Sequence, residues 1–185
     1  MLTDPKSNSG FASWSPDGKQ LVYRVMGNGE QGLRILTVDS GKVTTLTNDY
    51  DTFPAWSPRG DRIVFSSFRD GDYDIYTIRP DGSDVRKLTN SHGNDAHPAW
   101  SADGNWIMFS SSRKGFKDEA MLDELGKPQP YGELFLMHSD GSDVRQLTDN
   151  QWEDGSPAWR PTPRQASPPV PPHDAISDLT RKPRK

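Results

Sequence analysis

Apolar residues recur along this chain in short runs that alternate with polar positions, and turn residues close each run. Leu21 and Tyr23, Ile63 and Phe65, and Ile107 and Phe109 make one set of alternating pairs. Ile35 and Val38, Ile75 and Ile78, and Leu134 and Met137 make a second set further on. A tight turn follows each time, as Asp39-Ser40-Gly41, Asp81-Gly82-Ser83 and Asp140-Gly141-Ser142, and each cycle ends on Leu46-Thr47, Leu88-Thr89 or Leu147-Thr148. Alternation at every second residue, bounded by Asp-Gly turns, predicts short antiparallel strands. The same spacing excludes a helical solenoid, whose apolar positions would recur every three or four residues.

The cycles are copies of one unit. Ser13-Trp14-Ser15-Pro16-Asp17-Gly18 returns as Ala55-Trp56-Ser57-Pro58-Arg59-Gly60 and as Ala99-Trp100-Ser101-Ala102-Asp103-Gly104. It returns once more, incomplete, as Ala158-Trp159-Arg160-Pro161. The tryptophans are 42, 44 and 59 residues apart, so the third unit carries an insertion, placed at 114–131. Four strands, A to D, in a period of about 40–45 residues match one blade of a β-propeller. In the first unit they are expected near 11–15, 20–25, 33–38 and 43–47. Trp14, Trp56, Trp100 and Trp159 recur at one place in the unit, which predicts a structural role between neighbouring sheets.

The P-x-W-S-P-D-G, I-x-F, I-Y and L-T signature resembles the WD40-like repeat of TolB-type β-propellers. The resemblance covers residues 1–161, with blades at about 10–48, 52–90 and 96–149 and a lone A strand at 156–160. It implies an all-β fold: three four-stranded antiparallel blades with partial strands at both ends, short of a closed ring. Leu2-Thr3-Asp4 matches Leu147-Thr148-Asp149, so the chain is expected to open inside a D strand. Two accounts fit: a fragment of a longer propeller, or two chains completing one ring. Open blade edges are templates for self-association.

Composition changes this picture only at the margins. The hydrophobic share is 31% and mean hydropathy is −0.86, with 16 Gly and 16 Pro, which suits short strands and many turns. No stretch approaches a membrane span or a secretory signal, and the absence of cysteine removes disulfides and thiolate metal sites. Net charge is −4. Residues 161–185 hold five basic and two acidic residues, leaving −7 on the body, which argues against nucleic acid as a partner. The seven prolines of that tail and its few large apolar residues predict disorder over 162–185.

Strand order places the A–B and C–D turns on one face and the B–C and D–A loops on the other. The first face is uniformly trimmed; the second carries the variable material, including the insertion, and is expected to be the working face. Five residues before each Trp stand Ser9, Asp51, Asp95 and Asp154; three before stand Phe11, Phe53, His97 and Ser156. With strand A innermost, these positions ring the axial channel, and a rim of carboxylates and aromatics suits a basic peptide, a cation or a polar protein surface. The alternative is that each Asp accepts hydrogen bonds within its own loop. Trp152 stands outside the repeat register and is a candidate exposed binding aromatic.

The sequence lacks a G-x-S-x-G elbow, a phosphate-binding glycine loop and paired histidines. Asp70-Gly71-Asp72-Tyr73-Asp74 has D-x-D-x-D spacing but lacks the glycine and the bidentate acid of a Ca²⁺ loop, and reads as a hairpin turn. No cofactor and no catalytic residue is expected. The leading expectation is a non-catalytic module that binds another protein or peptide through the B–C/D–A face. The resemblance further implies a periplasmic component of a cell-envelope system. The alternative is a propeller that gates a multidomain hydrolase, of the prolyl-oligopeptidase-like or amidohydrolase type. A weaker one is a lactonase-like enzyme with a channel metal on Asp95, Asp154 and His97.

Overall fold

Strand formation follows the alternation closely. In the computed structural model of the chain, which describes residues 7–115, 132–152 and 154–159, blade 1 consists of β1 (Asn8–Trp14), β2 (Gln20–Gly27), β3 (Glu30–Thr37) and β4 (Lys42–Thr45). Blade 2 consists of β5 (Asp51–Trp56), β6 (Ile63–Ser67), β7 (Asp74–Ile78) and β8 (Arg86–Lys87). Blade 3 consists of β9 (Asp95–Trp100), β10 (Trp106–Ser111), β11 (Glu133–His138) and β12 (Arg145–Gln146). Each blade is one four-stranded antiparallel sheet whose strands pair in chain order. The expected D strand at Leu2-Thr3, the body of the insertion (116–131) and the tail beyond Trp159 lie outside the described residues. Residues 155–159 carry no ladder pairing; the segment is tied down by a bridge between Asp154 and Gly132.

The repeated residues hold the unit together in repeated ways. In the A–B turn, Ser15 Oγ donates to Asp17 Oδ1 at 2.6 Å and accepts from the backbone N–H of Gln20 at 2.9 Å. Ser101 and Asp103 reproduce this, and in blade 2, where Arg59 stands in the Asp position, Ser57 uses Asp61 instead. The turn glycines Gly18, Gly60 and Gly104 have φ of 71°, 76° and 68°, a region that Cβ disfavours. The Leu-Thr ending is a clasp between strands C and D. Thr47, Thr89 and Thr148 Oγ1 accept strand-C amides, from Leu33, Ile75 and Leu134, at 3.0, 2.9 and 2.9 Å.

The core lies in two seams between blades. Val22, Leu33 and Ile35 of blade 1 pack with Leu46 against Trp56, Ile63, Phe65, Tyr76 and Ile78 of blade 2. Val64, Ile75, Ala55 and Leu88 of blade 2 pack in the same way against Trp100, Ile107, Phe109, Phe135 and Met137. Every residue of β6 and β7 is therefore buried, because the middle blade is covered on both faces. The A strands β1, β5 and β9 touch in succession, while the D strands touch only their own C strands. This puts strand A on the inner edge and strand D on the outer one. Among the described residues no strand of blade 3 reaches blade 1, so the three blades form an open arc.

The tryptophans fill the seams wherever a preceding blade exists. Trp100 and Trp159 each donate the indole N–H to the alanine carbonyl one blade back, Ala55 at 3.1 Å and Ala99 at 3.0 Å. Trp56 is 8% exposed, whereas Trp14, at the open side of blade 1, is 55% exposed.

Candidate functional site: the inner rim of the loop face

Each A strand bends at the residue three before its Trp. Phe11, Phe53, His97 and Ser156 all have positive φ, between 49° and 54°. In the three complete blades the ladder register slips at this point, as a β-bulge. A left-handed non-glycine residue carries a strain of about 1–3 kcal/mol, so the same strain in every unit marks a position held by its surroundings. The bulge turns these side chains onto the inner edge, where they form a ladder across the blades. The Phe11 and Phe53 rings lie 4.5 Å apart, and Phe53 and His97 lie 4.0 Å apart. His97 Nδ1 lies 3.1 Å from Ser110 Oγ. Phe11 is 49% exposed, so one end of the ladder faces solvent.

The carboxylates five before the Trp sit differently. Asp51 and Asp95 are 1% and 0% exposed, and each is closed over by an arginine of its own blade. Arg69 Nη2 lies 3.1 Å from both Asp51 oxygens, and Arg113 Nη2 lies 2.9 Å from Asp95 Oδ2. Ser111 and Ser91 also donate to Asp95, and Ser67 Oγ accepts from Arg69 Nε at 2.8 Å. These two carboxylates thus fasten the D–A loop to the B–C loop, and their charge is balanced inside the blade. Asp154 is half-buried and accepts from Asn150 Nδ2 at 2.9 Å. Trp152 is 51% exposed; its backbone amide donates to Asn150 Oδ1. The structure therefore brings Phe11, Phe53 and His97 into one stack, sets Asp51 and Asp95 beneath the loops, and leaves Trp152 on a separate loop.

Sequence reasoning passed over the arginines. Ser67-Phe68-Arg69 and Ser111-Ser112-Arg113 recur at the same place in blades 2 and 3, and that recurrence was the available signal. The D-x-D-x-D run is a turn whose outer two acids are engaged: Lys87 Nζ lies 2.8 Å from both Asp70 and Asp74, and Tyr76 donates to Asp70. Burial raises the Asp74 pKa despite Lys87. On the opposite face a cleft of about 140 Å³ lies between blades 2 and 3, lined by Arg59, Arg62, Arg86, Trp100 and Asp140. Its arginines are already engaged, Arg62 with Asp84 at 2.8 Å and Arg59 with the Asp103 carbonyl at 3.1 Å. It lacks the strained, solvent-facing aromatics of the inner rim.

Residues 2–118 match the family model described as the TolB beta propeller domain. The chain belongs to the TolB β-propeller family. Among solved structures, a protein assigned as TolB from Agrobacterium tumefaciens is 30% identical, with a TM-score of 0.68, over 83% of this chain and 53% of that one. TolB from Acinetobacter baumannii is 24% identical with a TM-score of 0.55, over 87% of this chain and 48% of that one. The chain thus spans about half the length of these TolB proteins. A puromycin hydrolase shares the fold alone, at 15% identity and a TM-score of 0.59, over 80% of this chain and 23% of that one. Comparison with curated protein sequences gives no match. Among the described residues no helix is long and apolar enough to cross a membrane.

Proposed function

We propose that this TolB-family chain is a non-catalytic interaction module that receives a protein or peptide on its B–C/D–A loop face, in the periplasm. The observation that carries the reading is the ladder Phe11–Phe53–His97, built on left-handed backbone in successive blades and half-open to solvent at Phe11. Strain maintained at equivalent positions, with aromatic surface presented at the inner rim, favours binding over simple packing. Phe53, His97 and Trp152 are the proposed contact residues, with Asp51, Asp95 and Asp154 shaping the loops that present them.

A photo-crosslinking amino acid placed at Phe11 or Phe53, against one placed at Ser40 in the C–D turn, tests the face in living cells. Protein adducts from the rim positions and few from Ser40 are expected; equal yields would refute the assignment. Release of the full gene product by osmotic shock tests the compartment. The hydrolase-propeller alternative requires a catalytic domain in the same polypeptide, and the coding sequence on either side of this region decides it.

A further inference from the structure

We infer that the blade 1 end of this rim is a docking point for a carboxylate carried by a partner peptide, with Arg24 as the residue that binds it. The inference rests on the reading of the loop face as an interaction face. It is carried by a comparison the protein makes within itself. In blade 2 the Arg69 guanidinium lies over the Tyr76 ring at 4.8 Å and grips the Asp51 carboxylate at 3.1 Å. In blade 3 Arg113 lies over the Phe135 ring at 4.5 Å and grips Asp95 at 2.9 Å. Each rim arginine therefore has an aromatic beneath it and a carboxylate of its own strand A beside it.

Blade 1 departs from this at every member. Ser9 stands where Asp51 and Asp95 stand, and Gly27 where Arg69 and Arg113 stand. Its arginine comes three residues earlier, as Arg24, in the place of Ser66 and Ser110. Gly10 lies opposite Arg24 in the ladder, and a Cβ there would make ordinary contact with Arg24 Nη2 at 3.8 Å. The Arg24 guanidinium lies 4.8 Å from the centroid of the Phe11 ring, at the solvent-facing end of the aromatic ladder. Its hydrogen bond is to a neutral group, Asn8 Oδ1 at 2.9 Å, and its buried Nε makes none. Among the described residues no carboxylate pairs with it. Partial burial pulls its pKa below the ordinary guanidinium value, as expected for a cation that has lost water without gaining an anion. A guanidinium stacked on an aromatic ring binds a carboxylate strongly when both are partly desolvated. The sister blades show that a carboxylate is the anion this scaffold matches to such an arginine. The ligand chemistry is an Asp or Glu side chain, or a chain-terminal carboxylate, next to an apolar group that covers Phe11.

The test is a titration of the ¹⁵N-labelled chain with acetyl-Phe-Glu-amide and with its isostere acetyl-Phe-Gln-amide, read at the Arg24 Nε–Hε and Phe11 amide resonances. A saturable shift is expected with the Glu peptide, and about tenfold weaker binding with the Gln peptide, the loss of one charge-assisted pair. Asn8→Asp places a carboxylate on the atom already bonded to Arg24 Nη2, at an exposed position. It is expected to weaken the Glu peptide about tenfold and leave the Gln peptide unchanged. Arg24→Gln is expected to erase the difference between the two peptides. Equal affinity for both peptides, or indifference to Asn8→Asp, overturns the carboxylate assignment while leaving the rim as a peptide site. No shift with either peptide up to about 5 mM also overturns it, and the interaction face is then judged by the crosslinking comparison alone.

Discussion

Trp56 and Trp14 occupy the same position in successive units, and replacing each by alanine separates the contribution of a seam from that of a blade. Trp56 is 8% exposed and packs among Val22, Leu33, Ile35, Ile63 and Phe65, with its backbone amide donating across the seam to Ser13 Oγ at 3.0 Å. An indole buries on the order of 200 Å², worth about 5 kcal/mol at about 25 cal/mol per Å². Alanine retains roughly 1 kcal/mol of that, and the closed seam keeps much of the cavity, so Trp56→Ala is expected to lose about 3–5 kcal/mol. Trp14 is 55% exposed, and its removal leaves an open notch that water fills. Trp14→Ala is therefore expected to lose about 1–2 kcal/mol. Urea unfolding followed by circular dichroism, compared at constant m value, measures both. Losses within about 0.5 kcal/mol of each other, the margin within which independent mutational effects agree, would refute the reasoning and place the stabilisation inside single blades.

Three further outcomes follow from the geometry. Asp95→Asn leaves Arg113 without its partner and is expected to destabilise by about 2–3 kcal/mol, at the low end for a buried pair because Arg113 is 19% exposed; Asp154→Asn, half-buried, is expected to lose under about 1 kcal/mol in the same unfolding assay. Burial, then the hydrogen bond to Asp70, pushes the Tyr76 pKa up to about 12 from 10.0. The neutral phenol is the favoured folded form, so its contribution is complete below the unfolded pKa near 10.0 and is lost as pH rises towards 12. Burial also raises the Tyr23 pKa, so ultraviolet titration should show late-ionising tyrosine in the protein and a smaller late fraction in Tyr76→Phe; identical titration curves for the two would refute this. Finally, Trp14 and Leu147 are 55% and 49% exposed at the two open sides of the arc, and the 185-residue chain is expected to self-associate through them. Light scattering that shows a monomer of 20.7 kDa would refute that expectation.

The sequence by itself determined the strands, turns and strand-end clasps of one unit. Alternating apolar pairs specify strands, Ser-Pro-Asp-Gly specifies a turn whose serine and aspartate satisfy each other, and Leu-Thr specifies the clasp to the neighbouring strand. These interactions span a few residues or one hairpin, so residue identity and spacing suffice to reveal them, and four copies in register make the blade unmistakable. The tertiary structure decided what depends on who stands next to whom. Asp51 is paired with an arginine 18 residues away, so its charge never reaches the channel, although spacing alone placed it on the rim. The left-handed bend that stacks Phe11, Phe53 and His97 is set by the register slip and by contact between adjacent blades. Leu46 and Leu88 are packed in seams while Leu147, the same residue in the same motif, is 49% exposed. Burial is a property of the neighbour rather than of the residue, and a repeated sequence describes the unit without describing its neighbours.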